Sequence, residues 1–307
     1  MHPRNGKTGR PLFIGSKPFG LAILRSLRGV DPQLGTAITI DDSPDIRSCL
    51  CEFRNFAVRE GLELVVASSA AEVKAEILAR RPSVILVCGY YWLLDADVLN
   101  AVPGGIFGIH NSLLPRYRGS SPLVWAMING ESRVGSSLFA LGEGMDDGPI
   151  LHQIELDVAS DEGIGSVLAR LEAQLIHDLP ALWPRLCAGT IERRPQIEAQ
   201  ATYCGRRHPQ DGEIDWALSA GRIHNLVRAQ APPYPGAFTI VGGQRVTLLR
   251  TSSFQFPYFA VPGQVVRRRP GAVIVACGDN TALVILEAAV EGLPGDVDKL
   301  IGPGPLR

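Results

Sequence analysis

The stretch Ser83–His110, SVILVCGYYWLLDADVLNAVPGGIFGIH, decides the fold. Its first six residues are a continuous apolar run, the pattern of a strand buried on both faces. Leu93–Val102 has helical spacing, and Gly105–His110 is a second short apolar strand. A strand, a helix and a strand at this pitch predict a parallel pair. The same alternation extends upstream. PLFIG (residues 11–15), Thr36–Ile40 and Leu62–Ala67 read as strands. Phe19–Leu27, residues 50–60 and Ser69–Arg80 read as helices, the last with Ser69 as its cap and Pro82 as its stop. The expected fold is therefore α/β, a doubly wound, mostly parallel (Rossmann-like) sheet. Ligands of such sheets sit beyond the carboxyl ends of the strands, and His110 falls at one of those ends.

Downstream, Ser121-Pro122 predicts a helix cap and first turn, and Gly135–Leu141 a further strand. Gly144–Gly148, GMDDG, is a turn with two acids. Asp161 is placed to cap a long helix with Ile164, Val167, Leu168, Leu171 and Leu175 on one face. Residues 190–205 have no periodicity and read as a linker. Beyond Pro232 come short strands separated by Gly, Pro and Asp: TIVGG, RVTLLRT, GQVVRRR, AVIVACG and ALVILEA. They predict a small antiparallel, OB-like β-barrel. The expected organisation is a disordered lead-in at 1–10, a catalytic domain at 11–189, the linker, and a C-terminal domain at 206–307.

The 307 residues suffice for two cores. A hydrophobic fraction of 46% with 20% charged residues fits a soluble globular protein. Net charge is −1, so neither nucleic acid nor an anionic membrane is expected as a partner, although Arg267–Arg269 forms a local basic patch. No apolar run is long enough to cross a membrane, and MHPRNGKTGR lacks the apolar core of a signal peptide. A cytoplasmic location is expected, with the six scattered Cys as reduced thiols. Cys49 and Cys51 form CxC, not CxxC, and His152, His177, His208 and His224 show no metal spacing; no metal is expected. Gly15–Gly20, GSKPFG, matches neither GxGxxG nor a phosphate-binding P-loop and reads as a tight strand-to-helix turn.

His110 at one strand end and Asp146 after the next strand would bring an imidazole and a carboxylate together, a pair able to move a proton near neutral pH. SLLPRYRG (residues 112–119), with His110 two positions before it, and GMDDGPI (residues 144–150) resemble the folate-dependent formyltransferases. That family includes methionyl-tRNA formyltransferase and the N-formyltransferases of nucleotide-linked amino sugars. The resemblance runs through FIGSKPFGLAILRSL (13–27), VCGYYWLLDADVL (87–99), RRHPQDGEIDW (206–216) and IHNLVRAQAPPYPGAF (223–238). It implies N10-formyltetrahydrofolate as formyl donor and a primary amine as acceptor. It also implies catalytic roles for His110 and Asp146. Tyr90, Tyr91, Trp92, Leu114 and Asp147 are implied to bind the folate, and Ser112, Arg116 and Arg118 the acceptor.

The family pairs its His with an Asn two residues earlier, where extended backbone puts both on one face. That position is Gly108 here, which has no side chain to hold an oxyanion. Asn111 swinging into the site is one replacement. Protonated His110, a backbone amide or water is another, and a catalytically weak folate-binding relative is the third reading. For the acceptor, DDSPDIRSCLCEF (41–53) is acidic where a tRNA-binding member would carry a basic loop. The resemblance therefore points to a nucleotide-linked amino sugar. A free amine such as hydroxyornithine, or methionyl-tRNA, is the alternative. The C-terminal domain is expected to contribute to the acceptor side or to a homodimer interface.

Overall fold

The computed structural model describes residues 9–306, so residues 1–8 of the expected lead-in lie outside the described residues. In chain order the elements are β1 (Leu12–Gly15), α1 (Lys17–Val30), β2 (Thr36–Ile40), α2 (Leu50–Glu60), β3 (Glu63–Ala67), α3 (Ala70–Arg80), β4 (Ile85–Cys88), α4 (Ala96–Ala101), β5 (Ile106–His110), β6 (Arg118–Gly119), α5 (Pro122–Ile128), β7 (Arg133–Ala140), β8 (Ile150–Asp157) and α6 (Ile164–Ala188). There follow β9 (Tyr203–Cys204), α7 (Ala220–Ala229), β10 (Ala237–Val241), β11 (Gln244–Ser253), β12 (Val265–Arg269), β13 (Ala272–Ala276), β14 (Ala282–Val290), β15 (Leu293–Gly295) and α8 (Val297–Leu300).

Two compact units emerge. The first takes the described residues through Gly119, then Gly135–Leu156 and Ala169–Tyr203. Its seven-stranded sheet runs β3-β2-β1-β4-β5-β7-β8. The first five strands are parallel, as the apolar runs predict. Leu12, Ile14, Ile38, Ile85, Val87 and Ile106 pack in its core with Val73 and Ile77 of α3. Ser69 caps α3 by accepting from the Glu72 N–H, and Asp95 caps α4 through the Val98 N–H. These caps satisfy orphan N–H groups at the helix starts. Ser121 departs from its expected role. It takes a left-handed backbone, φ 58°, and its side chain makes no cap bond, so Pro122 alone opens α5.

The second unit comprises Ser120–Val134, Asp157–Leu168 and the described residues from Cys204 onward. Its strands form an antiparallel sheet, β10-β11-β14-β13-β12, with β15 on β14. Trp216, Ile223, Leu248, Val275, Ile285 and Val297 belong to its core. Arg267–Arg269 lie exposed on β12, at one end of the sheet order, where charge discourages pairing with a further strand. Residues 120–134, read from sequence as part of the first domain, join this unit instead. Trp125 Nε1 donates to the Gly205 carbonyl, and the Arg207 guanidinium stacks 4.9 Å from the Trp125 ring centre. Conversely, residues 190–203 of the expected linker group with the first unit. Arg194 bridges Ile150 in antiparallel fashion, and Gln196 and Glu198 bond Arg118. The strand β8 carries no expectation from sequence; its mixed pattern in LHQIELD hides it.

Candidate active site

β4 and β5 run side by side with Val87 opposite Gly108, so Gly89 and His110 stand at the same end of the sheet. His110 is only 9% exposed. Its Nε2 lies 2.8 Å from the Tyr117 carbonyl oxygen. A carbonyl only accepts, so Nε2 carries a proton and Nδ1 is the basic nitrogen of the neutral ring. Nδ1 faces Asp146 Oδ2 at 3.6 Å. That oxygen in turn accepts from the Gly119 N–H at 2.8 Å. The expected imidazole–carboxylate pair is therefore present within the first unit.

The route that brings Asp146 there differs from the expected one. β7 is antiparallel to β5, with His110 opposite Ser137 and Phe107 opposite Ala140. β7 thus ends level with the start of β5, away from His110. Residues 141–149 double back over the face of β5 that carries Gly108 and His110. The return needs an uncommon backbone: Asp146 has φ 51°, and Tyr117, whose carbonyl holds the imidazole, has φ 59°. Left-handed backbone costs a non-glycine residue about 1–2 kcal/mol, so neighbouring contacts must hold both. The turn itself closes on Asp147, an exposed residue whose carboxylate lies where a Cβ on Gly144 would be, 2.0 Å away.

The Gly108 position is not an open gap. A Cβ there would stand 2.9 Å from Leu141 Cδ2 and 3.0 Å from Phe139 Cε1. Apolar side chains fill the space where the resemblance expects an Asn. Gly108→Asn is therefore expected to cost about 1–3 kcal/mol of stability by overpacking, and to raise activity no further. Adding Leu141→Ala should recover part of that loss. Denaturant melts of the single and double variants check it; a fully stable single variant would contradict the packing.

Asn111 does not enter the site. It directly follows His110, and alternation turns its side chain to the other face of the sheet. There its Oδ1 accepts from Ser136 Oγ at 3.0 Å. The acceptor-binding expectation also changes for two residues. Ser112 is 3% exposed, and its hydroxyl closes a local turn onto the Arg116 carbonyl at 2.8 Å. Arg118 is 1% exposed, and its guanidinium bonds Gln196 Oε1, Glu198 and the Tyr203 hydroxyl. A buried cation needs such partners, and here they come from the protein itself. Arg116 alone of the three is exposed; it stacks on Tyr117 at 5.4 Å.

Of the residues expected to hold the folate, Leu114 is 3% exposed in a small core with Phe139 and Ile150, with almost no surface to offer a ligand. The aromatic segment lies just beyond β4. Tyr90 and Trp92 pack against the sheet core, ring centres 5.7 Å apart and perpendicular. Tyr91 is 58% exposed. The Tyr90 hydroxyl is buried without a hydrogen-bond partner among the described residues. Burial pushes its pKa up to about 12, with Tyr91 adding to the shift. Gln196, the Tyr117 carbonyl and the Gly119 N–H are contributors that the sequence gives no reason to single out.

The formyl transferase family pattern matches residues 45–180, and that of the formyl transferase C-terminal domain matches 207–293. Among solved structures, WlaRD, a sugar 3N-formyl transferase in the presence of dTDP and 5-N-formyl-THF, superposes with a TM-score of 0.68 at 14% identity. The match covers 92% of this chain and 98% of WlaRD. The N-formyltransferase from Helicobacter canadensis, in complex with folinic acid and dTDP-3-aminofucose, gives 0.68 at 13% identity, covering 91% and 99%. HypX from Aquifex aeolicus, in complex with tetrahydrofolic acid, gives 0.62 at 18% identity, covering 96% of this chain and 47% of HypX. The two family matches follow each other along one chain and span most of it, and the chain belongs to the formyl transferase family.

Proposed function

We propose that the protein transfers the formyl group of N10-formyltetrahydrofolate to a primary amine carried by a nucleotide-linked amino sugar. The observation that carries this reading is the His110 ring, tied at Nε2 to a backbone carbonyl and presenting Nδ1 to Asp146 at the carboxyl edge of the sheet. Ligand sites of such sheets are found at that edge. The acceptor class is supported by the two sugar N-formyltransferases that superpose over nearly the whole chain. The acidic segment after β2 and the net charge of −1 argue against a tRNA acceptor.

The segment beyond β4 fits a folate. Tyr90, Tyr91 and Trp92 offer an aromatic wall, and the Tyr90 hydroxyl, without a partner among the described residues, suits a ligand with polar edges. What the folate supplies when bound is a formyl carbon open to attack by an amine. His110 Nδ1 is the group that takes the proton from the attacking nitrogen. The resulting imidazolium is balanced by Asp146 and can face the oxygen that becomes negative. With Gly108 bare and Asn111 turned away, that electrostatic role falls to protonated His110 and nearby backbone N–H groups.

Absorbance-monitored release of tetrahydrofolate, across a panel of dTDP-, UDP- and GDP-linked amino sugars and free amines, tests the proposal. Turnover is expected with at least one nucleotide-linked sugar, at kcat/KM at least tenfold above any free amine. Turnover only with free amines would sink the sugar-nucleotide assignment. Folate binding without amine-dependent turnover would sink formyl transfer itself.

A further inference from the structure

Three consecutive residues tie the His110–Asp146 pair to Gln196. The Tyr117 carbonyl holds the imidazole, the Gly119 N–H holds the carboxylate, and between them Arg118 reaches Gln196. Gln196 is read from sequence as linker, yet it is half-buried and uses both ends of its amide. Its Oε1 accepts from Arg118 Nε at 3.1 Å and Nη2 at 3.0 Å. Its Nε2 donates to the Asp146 carbonyl and to the Gly148 carbonyl, each at 2.7 Å. The orientation of this amide is forced, because Arg has only donors and a carbonyl only accepts.

We propose that Gln196 is a positioning residue: by bridging buried Arg118 to the backbone on both sides of Asp147, it fixes where the Asp146 carboxylate stands relative to His110. This rests on the reading of that pair as the proton-handling site. The physical need is clear from the loop's course. Residues 141–149 turn back over the sheet, and Asp146 keeps an unfavourable φ of 51°. The Gln196 amide satisfies two carbonyls in that turn. Its own position is set by Arg118, which is anchored further by Glu198 at 2.9 Å and the Tyr203 hydroxyl at 3.0 Å. Arg118 itself is 1% exposed, while its partners Glu198 and Tyr203 reach it from the surface, so Gln196 is the half-buried link between this cation and the turn. A misplacement near 1 Å at a reacting group can cost about 10²-fold in rate.

Two variants test it. Gln196→Met keeps the shape and removes both functions of the amide. Gln196→Glu keeps an acceptor for Arg118, so the buried cation stays paired and the fold is protected, but it cannot donate to the two carbonyls. In both, hydrogen–deuterium exchange of peptides covering 142–149 should rise at least fivefold while those of β1 and β4 stay unchanged. In both, kcat should fall about 10- to 100-fold with the donor KM within about twofold. Unchanged exchange at 142–149, or raised exchange with unchanged kcat, overturns the proposal. Loss of the donor KM in place of kcat also overturns it, since that would make Gln196 a binding residue. Exchange needs no turnover: should the unmodified protein transfer no formyl group, the functional reading fails, and exchange at 142–149 still decides whether Gln196 holds the loop.

Discussion

His110→Ala is expected to lower amine-dependent release of tetrahydrofolate by about 10²–10⁴-fold, the usual contribution of one positioned acid–base group. The ring is buried, tautomerically fixed by the Tyr117 carbonyl, and 3.6 Å from Asp146. On the proposed mechanism, removing it takes away the base and, in the protonated state, a positive charge beside the developing oxyanion. With Gly108 bare, nothing on the same strand face replaces that charge, so the loss should sit toward the upper end of the range. Asp146→Asn should cost about 10²-fold, because the amide can still accept from the Gly119 N–H but no longer balances an imidazolium. The double variant should be little worse than His110→Ala alone, as residues acting as one unit are not additive. Steady-state kinetics on the acceptor found from the panel reads all three. A kcat within fivefold for His110→Ala, in a protein with unchanged melting, would remove His110 from the mechanism.

Trp183→Ala is expected to destabilise the protein by about 3–5 kcal/mol while leaving the kcat of the folded fraction unchanged. Trp183 is 2% exposed and lies on α6 between Pro180 and Pro184. Each Pro removes a backbone donor from the helix interior, so packing must hold this end of α6 in place of its own hydrogen-bond ladder. Trp183 also donates from Nε1 to Asp31 Oδ2 at 2.9 Å, at the C-terminus of α1. Trp183→Phe keeps most of the packing and should cost about 1–2 kcal/mol more than the burial difference alone explains, for the lost bond. Urea melts of both variants measure this. A cost below about 1 kcal/mol for Trp183→Ala would show that the helix is held elsewhere.

The two predictions differ in how far the sequence foretells them. The central strands are legible because double burial writes itself as an unbroken apolar run, as in Ile85–Cys88. The face of α6 is legible for the same reason: Ile164, Val167, Leu171 and Leu175 recur at helical spacing and are all buried. His110 and Asp146 are legible through family likeness. Asn111, one of the replacements the sequence offers for the family Asn, has its Oδ1 accepting from Ser136 Oγ, and the pleat gives the reason: a neighbour of His110 on extended backbone faces the other way. Arg118 and Gln196 illustrate a different limit. Their contact joins residues 78 apart, and nothing local in RPQIEAQ marks the Gln as more than a polar linker residue. The direction of β7 is equally silent in sequence. A strand pattern gives period and burial but not polarity relative to its neighbour.

The segment Tyr117–Gly119 has a mechanical consequence. Because one stretch of backbone holds the imidazole at one residue and the carboxylate two residues later, thermal displacement of that stretch enters both partners with the same sign. It cancels in their separation. Movement of Tyr117–Gly119 as a unit therefore leaves the gap between the two groups unchanged, whereas the loop that delivers Asp146 still needs its own hold. A single-residue insertion or deletion in Tyr117–Gly119 would forfeit that common-mode protection at both ends at once.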